Sequence, residues 1–161
     1  MATFKVKSGV GKYHDSSAYD ALNQYVTSAQ KTREGGVIGA SILPEIAAEA
    51  MQAVTRAYHK EDGVKLRHSI LSFDPNERIS FQEARVIAEQ VMDFFADDYQ
   101  ILAAIHENQD NLHIHFLMNV VNYHDGSKYR VTKKNYYNSL KHVQNVTRKF
   151  GVNTFPVKDE D

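Results

Sequence analysis

Polar and apolar residues alternate over 2–7 (ATFKVK), which predicts a first strand. After a glycine-containing loop at 8–15, Ser16 or Ser17 can cap a helix running to about Lys31. Its apolar positions Leu22, Tyr25, Val26 and Ala29 fall at helical spacing. Residues 34–43 are rich in glycine and follow neither period, so they stay unassigned. Pro44 opens a second helix to about His59, with proline in its favoured first turn. Val64–Phe73 reads as a strand and Asp74–Asn76 as a turn. Ser80, with Glu83 three residues on, starts a capping box and a helix to about Ala96. Gln100–Glu107 and Leu112–Val121 are two strands across a short polar loop, which makes them antiparallel. A turn at Asp125–Gly126 and a helix over about Thr132–Phe150, stopped by Gly151, complete the pattern. The expected class is α+β: one mostly antiparallel sheet with helices packed on it.

A chain of 161 residues that is 42% apolar fits one domain spanning 1–161, with a short acidic tail at 157–161. The absence of cysteine excludes a disulfide scaffold, a thiolate zinc site and a cysteine nucleophile. No apolar run approaches the roughly 18 residues of a membrane span, and MATFKVKSGVG lacks the apolar core of a secretory signal. A cytoplasmic protein, monomeric and away from membranes, is the expectation.

The net charge of −1 says little about partners, but its distribution says more. Lys128 to Lys149 contains seven Lys or Arg and no Asp or Glu, so one end of the molecule is expected to be strongly positive. Lys128, Arg130, Lys133, Lys134 and Lys141 can neutralise phosphates there. Tyr123, Tyr129, Tyr136 and Tyr137 are interleaved and can stack on bases. Read without a partner, the same stretch is a solvated helix face with tyrosines in the core.

The chemistry concentrates in AAIHENQDNLHIHFLMNVVN, Ala103 to Asn122. His113 and His115 share one face of a strand, while Leu112, Ile114, Phe116 and Met118 share the other and must be core. Closing the hairpin about Gln109–Asp110 sets His106 opposite His113, about 5 Å away on the same face. Three neutral imidazoles with open positions suit a catalytic divalent ion. Asp110 and Asn111 can orient an imidazole or simply form the turn.

The His-hydrophobic-His element preceded by a further histidine resembles the HUH endonucleases. HENQDNLHIHFLMNVVN is similar to the third motif of MOBP-type plasmid mobilisation relaxases. HDSSAYDALNQYVTSAQKT (His14–Thr32) resembles their first motif, and RHSILSFDPNERIS (Arg67–Ser80) their second. The DGSKY segment and the closing basic helix also fit. Asn108 stands where many members carry aspartate.

The resemblance implies an HUH fold with an RRM-like palm, Tyr25 as nucleophile and His106, His113 and His115 as metal ligands. It places Ser17, His68 and Ser72 near the DNA or the site. Glu107, Asp110 and His68 remain the candidates for acid–base or supporting roles. It further implies one divalent ion, Mn²⁺ or Mg²⁺. The substrate would be single-stranded DNA at an origin of transfer, held by a 5′-phosphotyrosine link. Accessory relaxosome proteins are expected, as is passage with the DNA into a recipient cell. Full relaxases continue into long C-terminal regions, so the chain reads as a short member or an excised domain. Three rival readings differ in chemistry. A different metal hydrolase would use water as its nucleophile and form no covalent link to DNA. An initiator-like or transposase-like HUH enzyme would use Tyr136 or Tyr137, one turn before Lys141. A non-catalytic module would bind DNA with the basic helix and keep the ion for structure.

Overall fold

The computed structural model describes residues 1–7, 13–107 and 111–159. In chain order they form β1 (Ala2–Val6), α1 (Ser17–Thr32), β2 (Val37–Ala40), a 3₁₀ turn at Pro44–Ile46, α2 (Ala47–Ala57) and β3 (Leu66–Ser72). A second 3₁₀ turn at Pro75–Glu77, α3 (Phe81–Ala96), β4 (Ile101–Glu107), β5 (Leu112–Asn119), α4 (Lys133–Arg148) and β6 (Thr154–Val157) follow. The six strands make one sheet in the order β2-β4-β5-β3-β1-β6. Every neighbouring pair is antiparallel except β1 with β6. The expected α+β sandwich is therefore the one observed.

Helices cover both faces of the sheet. On one, the inward residues of β4 and β5 (Ile101, Ala103, Ile105, Ile114, Phe116, Met118) pack with Ile87 and Val91 of α3 and Leu140 and Val143 of α4. Ile114, Phe116 and Met118 are thus core, as the alternation requires. On the other face, Leu102 and Leu117 pack with Leu22 and Val26 of α1 and Ala48 and Met51 of α2. Burying each of the larger of these side chains contributes about 1.5–3 kcal/mol. This second core fills only part of its face. Further along β4 and β5, toward their connecting loop, the same face turns from leucine to histidine.

Local signals account for most boundaries. Ser80 and Glu83 complete the expected capping box at α3, and the Thr132 hydroxyl accepts from Asn135 N at 3.1 Å to start α4. Gly151, at φ +77°, closes α4 in the left-handed region that glycine tolerates. The start of α1 differs from expectation. Ser16 sits at the cap position without a side-chain bond. Asp15 replaces it, its carboxylate accepting from Ser17 N at 2.9 Å and from the Ser17 hydroxyl. The single helix expected from Pro44 is a 3₁₀ turn followed by α2, and β2 arises from the unassigned glycine-rich stretch.

Candidate active site

β4 and β5 pair with His106 opposite His113 and Ala104 opposite His115. The three imidazoles converge, with ring centroids 5.2 Å apart for His106–His113, 4.9 Å for His106–His115 and 5.0 Å for His113–His115. One ring nitrogen from each lies within 4.8 Å of the others. β3 extends the same face: Ser72 pairs with His113, Ile70 with His115 and His68 with Leu117.

The electrostatics favour neutral rings. Burial lowers the pKa of His106 and of His113. His115 is pushed down to about 2, first by burial and then by repulsion from His68, His113 and His106. An uncharged imidazole keeps a lone pair for a metal ion. The donor set fits such an ion on a second ground: His106 Nε2 is buried and meets no protein partner. Such an atom is costly unless something else engages it.

Tyr25 reaches this cluster from the middle of α1. Its ring lies 4.4 Å from that of His115, 5.0 Å from His68 and 6.2 Å from His106, centroid to centroid. Leu22, Val26 and Ala29 on the same helix are buried, so the apolar stripe of α1 presses Tyr25 onto the histidine face. Tyr25 itself is half-buried.

His68 is completely buried beneath the site. Its Nε2 is 2.9 Å from His115 Nδ1 and its Nδ1 is 2.6 Å from the Tyr13 hydroxyl. Burial, and then the neighbouring Tyr25, push the Tyr13 phenol upward. Lys7 and Asp159 meet nearby at 3.1 Å, and the Asp159 charge adds to the upward push on Tyr13.

The remaining sequence candidates are spread more widely. Ser72 lies on the histidine face beside His113. Ser17 is exposed at the start of α1 and bonded to Asp15. Glu107 forms an ion pair with Arg33 at 3.1 Å on the rim of the sheet. Asp110 and Asn108 lie outside the described residues. The basic segment is not gathered with the histidines, because α4 packs on the opposite face. There Lys133, Lys134 and Lys141 are exposed, as is Arg130 just before them. Lys128 donates to the carbonyls of Asp62 and Val64. Tyr136 packs against the α3–α4 core, and Tyr137 is 61% exposed.

Sequence reasoning missed Tyr13, Lys7 and Asp159. Lys7 continues the alternation of Thr3 and Lys5 and was readable as a residue of that face. Tyr13 reaches the site through contacts 55 residues away, which no local pattern encodes.

The relaxase family described as MobA/VirD2-like, nuclease domain, matches residues 25–152. The protein rlx of Staphylococcus aureus is 37% identical over 81 residues, covering 50% of this chain and 25% of that protein. The group II intron-interrupted relaxase LtrB of Lactococcus lactis subsp. cremoris is 22% identical over 115 residues, 71% of this chain and 20% of its own. Protein TraI of Escherichia coli is 30% identical over 111 residues, 65% of this chain and 15% of its own. The chain thus spans a quarter or less of the length of these relatives. A solved structure described as the molecular basis of vancomycin resistance transfer in Staphylococcus aureus has a TM-score of 0.58. That likeness covers 96% of this chain and 97% of the other, at 14% identity, and speaks for the fold alone.

Proposed function

This chain belongs to the MobA/VirD2-like relaxase nuclease-domain family, and from that premise we propose that it nicks single-stranded DNA at an origin of transfer through Tyr25. The observation that carries this reading is the seating of the Tyr25 ring on His115, 4.4 Å between centroids, beside three converging imidazoles.

In this reading the Tyr25 oxygen attacks the scissile phosphorus. A bond forms from tyrosine to the 5′ phosphate, the bond to the 3′ oxygen breaks, the phenol proton leaves to water and the departing 3′ oxygen takes a proton from water. The strand then carries a free 3′ hydroxyl, and the reverse attack by such a hydroxyl rejoins DNA and releases Tyr25. Dividing the exchange into two reversible steps suits an enzyme that must reseal what it cuts. A phenol, with an ordinary pKa near 10, leaves more readily than an alcohol.

His106, His113 and His115 would hold one divalent ion, which supplies stabilisation for negative charge gathering on the phosphate. All-imidazole ligation favours Mn²⁺ or a later metal over Mg²⁺ in vitro, although Mg²⁺ is the more abundant in cells. α1 holds Tyr25 in place, and His68 orients His115 from below. Of the acid–base candidates, Glu107 is already engaged by Arg33, while His68 lies within the cluster itself.

Lys128, Arg130, Lys133, Lys134 and Lys141 would bind the backbone of the DNA beyond the cleaved segment. A hollow of about 480 Å³ beside them is lined by Phe94, Tyr99, Tyr129 and Asn135, which suits stacked bases. Accessory relaxosome proteins, a bacterial cytoplasmic setting and passage into a recipient cell belong to the same reading. Among the described residues no helix is long and apolar enough to cross a membrane.

The test uses labelled single-stranded oligonucleotides covering candidate transfer origins, with Mn²⁺ or Mg²⁺. Denaturing gels are followed by peptide mass spectrometry. A metal-dependent adduct on the peptide holding Tyr25 is expected. An adduct on the Tyr136–Tyr137 peptide would move the nucleophile, and cleavage without an adduct would make water the nucleophile. Metal and DNA binding without cleavage would leave a binding module.

A further inference from the structure

We propose that Tyr13 is a positioning residue for Tyr25, closing a one-way hydrogen-bond line from His115 through His68 to the Tyr25 oxygen. The proposal rests on Tyr25 as nucleophile and on metal ligation by His115.

His68 engages both ring nitrogens, Nε2 with His115 Nδ1 at 2.9 Å and Nδ1 with the Tyr13 hydroxyl at 2.6 Å. A neutral imidazole has one donor and one acceptor. The line therefore has two possible directions, and His115 decides between them. Its Nδ1 is turned to His68, so the nitrogen left for an ion is Nε2. A ligating nitrogen offers its lone pair, which puts the His115 proton on Nδ1. That proton is donated to His68 Nε2. His68 then carries its own proton on Nδ1 and donates it to the Tyr13 oxygen. The Tyr13 hydroxyl then keeps its own hydrogen to donate onward, and Tyr25, whose ring packs on the same His68 at 5.0 Å between centroids, is a neighbour placed to receive it. The opposite direction would place a hydrogen on His115 Nε2 and leave no lone pair there for an ion.

One further observation agrees. Tyr13 adopts a left-handed backbone, φ 59°, held by Lys65 N bonding its carbonyl at 2.6 Å. A non-glycine residue in that region persists where surrounding contacts over-determine it. The consequence is a donor held beside Tyr25, where charge develops when the phenolate departs during rejoining.

Two measurements test this. In the Zn²⁺-loaded wild-type protein, long-range ¹H–¹⁵N NMR of His68 should show the Nδ1–H tautomer; the Nε2–H tautomer would overturn the proposal. In single-turnover assays with Mn²⁺, Tyr13→Phe should slow adduct formation about 10- to 100-fold at saturating oligonucleotide. The oligonucleotide concentration for half-maximal rate should stay unchanged. A Tyr13→Phe rate equal to wild type would also overturn it. If wild type forms the Tyr25 adduct and Tyr13→Phe matches it, only this inference fails. If wild type forms no Tyr25 adduct, the parent reading fails. Should Tyr13→Phe not fold, the wild-type tautomer still decides.

Discussion

The ring of Tyr25 rests on the imidazole of His115, tilted by 32° with centroids 4.4 Å apart. One residue comes from a helix and the other from the central strand, and the contact depends on how α1 is anchored. Just past its C-terminal end, Arg33 pairs with Glu107 beside His106 and stacks over Phe81 at 4.2 Å. Before its start, Tyr13 is bonded to Lys65 and His68. Between these ties, Leu22 and Val26 are buried against Leu102 and Leu117. The helix is thereby fixed in rotation, and Tyr25 lies half-buried against the histidines.

The first prediction concerns which tyrosine becomes linked to DNA. Tyr25→Phe should abolish the covalent adduct, a loss of at least about 10³-fold, because it removes the attacking oxygen. Tyr136→Phe and Tyr137→Phe should retain it, since both residues ride on α4 across the sheet. Circular dichroism of each variant checks the fold. A persistent adduct in Tyr25→Phe would sink the assignment.

The second concerns the metal. An ion that binds only the folded state at 100 times its Kd adds about 2.7 kcal/mol of stability. For a domain of this size that raises Tm by roughly 5–10 °C. Mn²⁺ should produce such a rise, EDTA should reverse it, and His113→Ala should remove it. Thermal scans of the wild type that ignore both Mn²⁺ and EDTA would dismiss the three-histidine site.

Much of this site was legible because strand geometry is strict. A period of two places His113 and His115 together, and a short hairpin leaves little choice but His106 opposite His113. The position of α1 over the same face was not readable, since helix period fixes a stripe but not the surface it covers. β2 escaped notice because four residues including Gly39 give too short an alternation. β6 escaped because TFPV contains Pro156, a residue confined to edge strands, which is where β6 lies. The charge of the basic segment was plain, whereas its location opposite the histidines depends on the whole topology.

The third prediction follows from His115. In the unfolded chain its imidazole takes up a proton below about pH 6.5. In the folded domain its pKa is pushed down to about 2, chiefly by burial. Between those values the unfolded state binds the extra proton, so stability is full above about pH 6.5 and falls as the solution is acidified. The loss from this group approaches ~1.4 kcal/mol per pH unit, and His106 and His113 shift in the same direction. Urea midpoints of the metal-free protein from pH 7.5 to 4.5 should fall, and His115→Gln should flatten the dependence. Equal slopes in the two proteins would contradict it.

The last prediction separates holding DNA from cutting it. Lys133, Lys134 and Lys141 are exposed on α4, a helix that packs on the sheet face away from Tyr25. In the proposed reading they would bind DNA through the phosphate backbone, with release of bound counterions. For single-stranded DNA each contacted phosphate adds about 0.7 to the slope of log affinity against log salt. Replacing all three lysines by glutamine should reduce that slope by about 2 and weaken binding most at low salt. Once the oligonucleotide is saturating, the adduct should still form on Tyr25, because the helix that carries it and the histidines beneath it are untouched. Fluorescence anisotropy across a salt series supplies the slope, and the gel assay supplies the adduct. If the slope is unchanged, α4 does not meet the DNA, and the cations that do must be sought on the histidine face, where Lys5 and Lys7 stand.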